Sequence, residues 1–243
     1  MMRAARGAWS GIAGPGIAMV ASVCAAPQAV ADPVAASATT ARDLLTRASF
    51  TEANKDTALA RIAEARTAAT AALHRAPGDA EAMLMQASAL GYQAKLTGSR
   101  GDAIDARKQF EALVARDPRN ADAQMALGAW HIGAVNRLGG FMGRTVLGAQ
   151  KKVGFDALDR AVALGGNHAL YPGIAGLLRL ELDPADARGR ALAEAAAHAA
   201  AATPLDRIMQ RSAAVVITQL RAGKADAAKA LASRLLPFGR LDD

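Results

Sequence analysis

The chain has 243 residues, 52% of them hydrophobic but only 4% aromatic, and 29 Lys and Arg against 22 Asp and Glu give it a net charge of +7. Alanine is abundant, and β-branched runs are almost absent outside Ala213 to Thr218, so the composition argues against a β architecture and for helices packed through small side chains. The positive charge suits solubility or an acidic partner, but the shortage of stacking aromatics argues against nucleic acid.

The chain opens on Arg3 and Arg6, followed by an apolar stretch from Ile12 to Ala26 and by Ala29-Val30-Ala31. This is the three-part layout of a secretory signal peptide over residues 1–31, with cleavage expected after Ala31 and a periplasmic product. Gly14, Pro15 and Gly16 interrupt a run already short for a membrane span, so no integral span is expected in the mature chain. The single cysteine, Cys24, lies inside this segment behind Val23, which is too large for a lipoprotein site. The mature chain therefore has no cysteine and no disulfide. Residues 32–40, mostly Ala with Pro, Ser and Thr, read as a flexible leader. Helical periodicity sets in near Ala41, and 41–243 reads as one helical-repeat domain.

Asn54 to Arg75 reads as a long helix carrying Ala65, Ala69 and Ala72, with Pro77 just beyond it. Ala106, Phe110, Leu113 and Pro118 repeat that spacing. Offsets of four and three place these side chains on one helix face. A small residue lets a second helix approach, and the large one fills the space that remains. Asp117-Pro118 then ends the helix, because proline lacks an N–H and restricts the residue before it. Asn120 or Asp122 is placed to cap the next helix, which carries Met125, Leu127 and Trp130. The spacing recurs at Gly154, Leu158, Ala161 and Gly166, then at Leu192, Ala196, Ala199 and Pro204. A weak copy follows at Ala225, Lys229, Ala232 and Pro237. The turn residues are 41, 48, 38 and 33 residues apart.

This succession resembles the tetratricopeptide (TPR) family, whose regular repeat is about 34 residues. The likeness is strongest from Ala65 to Leu164 and extends over about Asn54 to Pro237. Leu127-Gly128 fits the family's Leu-Gly pair on a first helix, whereas Gln86-Ala87 departs from it. The resemblance implies an all-α fold, a right-handed stack of antiparallel helical hairpins, that is, a TPR-like α-solenoid. It also implies a concave face lined by first helices and a protein or peptide partner bound there. An irregular helical bundle of similar helix count is the alternative. Members that clamp a C-terminal carboxylate use Lys and Asn on the first helices. Leu84 and Ser88, then Met125 and Ala129, stand there instead. The groove around Leu84, Tyr92, Met125 and Ile132 is therefore expected to be apolar and to suit an amphipathic helix or an extended apolar peptide.

The long interval holds an irregular insert, about 133–153. Between Ala123 and Phe155 lie Arg137, Arg144, Lys151 and Lys152, no acidic residue, and seven glycines. Each glycine inside a helix costs about 1 kcal/mol against alanine, so the stretch is either looped or packed very closely. It is similar to the glycine-rich inserts of TPR proteins associated with TRAP solute transporters and of the regulator-of-microtubule-dynamics type. The first implies a transporter component as partner and a small-molecule cavity near the insert. A basic insert with exposed aromatics suits an anionic peptide, ligand or lipid surface. Alternatively Trp130, Leu138, Phe141 and Phe155 are core and the arginines are solvated. His131, with Asn136 and Arg137 one to two turns on, forms a polar cluster fit to orient a ligand, or else His131 is a satisfied core histidine.

No catalytic motif is present. The histidines, His74, His131, His168 and His198, have no second His or Cys at ligand spacing, which disfavours zinc. There is no P-loop, nucleophile elbow or paired-carboxylate signature. The expectation is a binding protein, not an enzyme, with no cofactor.

Overall fold

A computed structural model describes residues 33–241. The expected signal peptide, its cleavage site and Asp32 lie outside the described residues. Those described are all-helical. The elements are α1 (Pro33–Phe50), α2 (Lys55–Arg75), α3 (Ala80–Thr97), α4 (Arg100–Arg116) and α5 (Ala121–Met142). A π-helical turn, Gly143–Leu147, then leads to α6 (Lys151–Leu164), α7 (Leu170–Leu182), α8 (Ala187–His198), α9 (Pro204–Arg221) and α10 (Ala225–Leu235). No helix among them is long and apolar enough to cross a membrane. Each helix packs on a chain neighbour, giving the pairs α1–α2, α3–α4, α5–α6, α7–α8 and α9–α10.

Local chemistry sets the boundaries. Asn54, Asp79, Ser99, Asn120, Asp186 and Thr203 each accept a hydrogen bond from the backbone N–H three residues on. That satisfies a donor the first helical turn otherwise leaves open. Ahead of Pro77 and Pro118, Ala76 and Asp117 have almost the same backbone, φ −140°, ψ 87° and φ −139°, ψ 91°. The two turns are one structure written twice. Asp183-Pro184 repeats the geometry before α8, with φ −146° and ψ 107° at Asp183, but there the turn lies inside a pair instead of between pairs.

The small-large stripes face inward as their spacing requires. Ala65, Ala69 and Ala72 are fully buried, as is Ala106, and Phe110 and Leu113 are each 4% exposed. Leu158, Ala161, Leu192 and Ala196 are buried too. The last copy is out of register. Ala228 and Ala232 are buried, while Ala225 and Lys229 are exposed. The charged side chain at the large position stays in water, and the buried stripe of this helix runs through Ala228 and Ala232 instead.

One further expectation is corrected, and one open alternative is decided. The supposed leader is helical from Pro33 onward. Ala38, Ala41, Leu45 and Ala48 recur at three- and four-residue intervals and are buried together, so this alanine-rich stretch has a face to bury and folds. The insert is not an extended loop. α5 runs on to Met142, with one break at Gly139 where φ is +75°. Its glycines divide by role. A Cβ at Gly128 would lie 2.7 Å from Leu158 Cγ, and one at Gly154 would lie 2.7 Å from Ile132 Cδ1. These two let α5 and α6 come into near-backbone contact. Gly139 and Gly148 supply left-handed backbone at the turns.

Two features depart from a simple row of pairs. Helix α7 is buried on all sides over Pro172–Glu181 and packs against α5, α6, α8, α9 and α10. Its Arg179 is tied to Asp159 at 2.7 Å and lies 4.1 Å from the centre of the Phe155 ring. Second, the segment after α10 turns back onto the beginning of the chain. Phe238 N–H donates to Ser49 O at 2.9 Å, Lys95 Nζ donates to Pro237 O at 2.7 Å, and the Phe238 ring meets Tyr92 edge-on at 5.0 Å. Phe238 is 1% exposed and sits at φ +64°, a conformation that costs a bulky residue and persists because these contacts fix it. The hook also needs Gly239, since a Cβ there would lie 2.0 Å from Ser233 O.

Candidate functional site

The expected apolar groove is closed. Leu84, Met125 and Ile132 are 3%, 8% and 0% exposed. Leu84 and the half-buried Tyr92 belong to one cluster, together with Phe238 of the C-terminal hook. Met125 and Ile132 belong to another, under α7. The physical reason is coverage from far along the chain. The faces that looked free on α3 and α5 are those that α7 and the hook fill. Burial also raises the Tyr92 hydroxyl above its usual pKa, against the opposing effects of Ser49 and Arg42.

His131, Asn136 and Arg137 do not converge. His131 is 1% exposed, whereas Asn136 and Arg137 face solvent. Arg137 Nη1 donates to Lys95 O at 3.0 Å, at the C-terminal end of α3, where a cation meets the negative pole of the helix. Inside, His131 Nδ1 accepts from Gln150 N–H at 3.2 Å, which steadies the start of α6 in the absence of a side-chain cap. The neutral ring therefore carries its proton on Nε2, a buried atom without a partner among the described residues. Desolvation, then the positive Arg107, lower the His131 pKa to about 4.

A polar chain missed in the sequence links four odd-numbered helices. Arg42 of α1 grips Glu81 of α3 through two bonds of 2.6 and 2.7 Å, and reaches Asp122 of α5 at 2.8 Å. Tyr171 of α7 donates to the other Asp122 oxygen at 2.8 Å. Burial disfavours the charge on Arg42, but Glu81 and Asp122 outweigh it and hold its pKa above normal. Burial, then the Asp122 charge, raises the Tyr171 pKa. All four carboxylate oxygens are engaged, so the chain fastens four helices together.

Asp206 plays a similar part beside it. It is 1% exposed and accepts from Leu170 N–H and from the Thr203 N–H and hydroxyl, with His168 Nδ1 at 3.1 Å. Burial would raise its pKa, but these bonds bring it below the usual value. One carboxylate thus anchors the starts of α7 and α9. No group of three or more His, Cys, Asp or Glu among the described residues is arranged to hold a metal ion.

The opposite situation holds at the end of α5. Phe141 is 80% exposed, Met142 49% and Leu138 38%. They lie around the Gly139 break, between Arg137 and Arg144, and Arg144 has no ion pair among the described residues. Leu138 and Phe141 are therefore surface residues, against the reading that would have them in the core. The chain matches no protein-family model, no curated protein and no solved structure.

Proposed function

We propose that this is an exported, TPR-like helical-repeat scaffold, not an enzyme, that binds a partner protein in the periplasm. The five helix pairs are then antiparallel hairpins in a right-handed stack. The duplicated turns at Pro77 and Pro118 support that repeat, and so does the polar chain that links α1, α3, α5 and α7. The partner meets the tip at Leu138, Phe141, Met142 and Arg144 instead of a groove at Leu84, Met125 and Ile132. The exposed cluster of Leu138, Phe141 and Met142 carries the reading, since a contiguous apolar patch in water marks an interaction site. With no acidic residue from Ala123 to Phe155, the fitting partner presents an acidic segment with apolar side chains.

Affinity capture from a periplasmic extract tests this. The wild type should retain a protein that Phe141→Asp and Arg144→Glu both lose, with unchanged thermal unfolding. Equal retention by all three would remove the tip as the binding surface. Co-sedimentation with anionic vesicles, but no captured protein, would assign the tip to a lipid surface instead. Export is read from the same cells. The signal-peptide layout around Arg3, Arg6 and Ala29-Val30-Ala31 places Asp32 first in the periplasmic protein. N-terminal sequencing that returns Met1 from the folded product would sink that expectation.

A further inference from the structure

A cavity of about 360 Å³ lies where the end of α1 meets α9, α10 and the hook. One wall is a stripe of α9, in which Ile208, Arg211, Ser212 and Val215 follow at helical spacing. The end of α1 brings Phe50 and Thr51. The end of α10 brings Arg234 and Leu235, and the hook brings Arg240. The volume falls within the range of small-molecule sites, roughly 300–1,000 Å³.

Its chemistry is one-sided. Three arginines line it, and no acidic side chain among the described residues does. Neither Arg211 nor Arg240 has an ion pair among the described residues. Ser212 also lines the cavity and is 5% exposed. Ser49 contributes less, because its hydroxyl already donates to Leu45 O at 2.7 Å. Thr51 apart, the remaining lining is apolar, and Val215 is 46% exposed. Guanidinium forks pair with two oxygens of a carboxylate or phosphate at once. The site thus offers cationic donors and a hydroxyl to an oxyanion, and aliphatic surface to whatever carries it.

We infer that this cavity binds a small amphiphile with an oxyanion head, a carboxylate or a phosphate monoester, on a short apolar tail. The head is held by Arg211, Arg240 and Ser212, and the tail lies along Phe50, Ile208 and Val215. The site is separate from the α5 tip, and its occupancy does not depend on the partner proposed there.

Titration calorimetry on the full chain, with octanoate, octyl phosphate, inorganic phosphate and octanol, tests the assignment and separates the two heads. At least one of the two charged amphiphiles should bind saturably at one site, and the stronger of them names the head. Inorganic phosphate should bind at least tenfold more weakly, and octanol should not bind. Arg211→Gln and Arg240→Gln should each weaken the preferred amphiphile at least tenfold while the unliganded protein unfolds at the wild-type temperature. Ser212→Ala reports the hydroxyl in the same way. Absence of saturable binding by either charged amphiphile would overturn the proposal. So would equal affinity in both arginine variants, or octanol binding as well as the charged compounds.

Discussion

Phe110→Ala is expected to lower the unfolding free energy by about 3–5 kcal/mol, the usual range for truncating a buried aromatic. The ring is 4% exposed in the middle of α4. It lies over α3 at Gly91, so close that a Cβ added to that glycine would sit 3.7 Å from the ring edge. The cluster it belongs to spans α1 to α5 and includes Leu84, Leu113, Leu127 and Phe238. Alanine would leave a cavity bordered by several helices, none of which can move in without breaking a contact elsewhere. Urea denaturation with linear extrapolation measures the loss. A loss below about 1 kcal/mol would show that Phe110 is not the element that joins these helices.

The burial of Phe110 behind that prediction is expected from the sequence and found in the structure, and the reason shows which parts of the fold are legible. Ala106, Phe110, Leu113 and Pro118 lie within thirteen residues, and everything that fixes them, helix period, proline stop and Asn120 cap, is local. The same holds for Ala65, Ala69, Ala72 and Pro77. Long-range coverage is not legible this way. Leu84, Met125 and Ile132 read correctly as apolar positions on their helices. Whether such a face is a groove or a core depends on what covers it, and the cover comes from α7 and from Phe238. The hook contact between Lys95 and Pro237 joins residues 142 apart. Pro237 reads as the stop of a fifth repeat, and nothing nearby marks the turn back. The Phe238-Gly239 pair is the one local hint, since glycine commonly serves a tight reversal.

The site residues divide along the same line. The acid-free stretch from Ala123 to Phe155 is visible as charge pattern, and Arg144 stands exposed within it. That Leu138 and Phe141 face water is not visible, because the break at Gly139 redirects the helix. Arg211, Arg234 and Arg240 belong to α9, α10 and the hook, and only tertiary packing brings them to one cavity. The Arg42, Glu81, Asp122 and Tyr171 chain is assembled from four helices in the same manner.

His131 should make the fold sensitive to mild acid, by about 3 kcal/mol between neutral pH and pH 4. The folded ring has a pKa of about 4, lowered by desolvation and by Arg107. In the unfolded chain it returns to about 6.5. Between those values the unfolded state binds a proton that the folded state refuses, so stability falls as pH falls. The contribution is complete above about pH 6.5 and is lost progressively down to about pH 4, with no further loss below. Structure gives the same sign. Protonation would put a hydrogen on Nδ1, where Gln150 N–H now donates, and a charge beside Arg107. The start of α6 would lose its support on α5, at the place where Gly128 and Gly154 bring the two helices closest. His131→Asn separates this effect from other titrations, because its amide oxygen can take the Nδ1 position and does not titrate. Asp206 is lowered as well, so its contribution persists through this window and is lost only at lower pH. Denaturant unfolding of both proteins at pH 7 and pH 4.5 measures the difference. The wild type should lose about 2–3 kcal/mol more than the variant over that step. Equal losses would mean that His131 is protonated within the folded protein, and that the imidazole does not hold α6 in the way its contacts indicate.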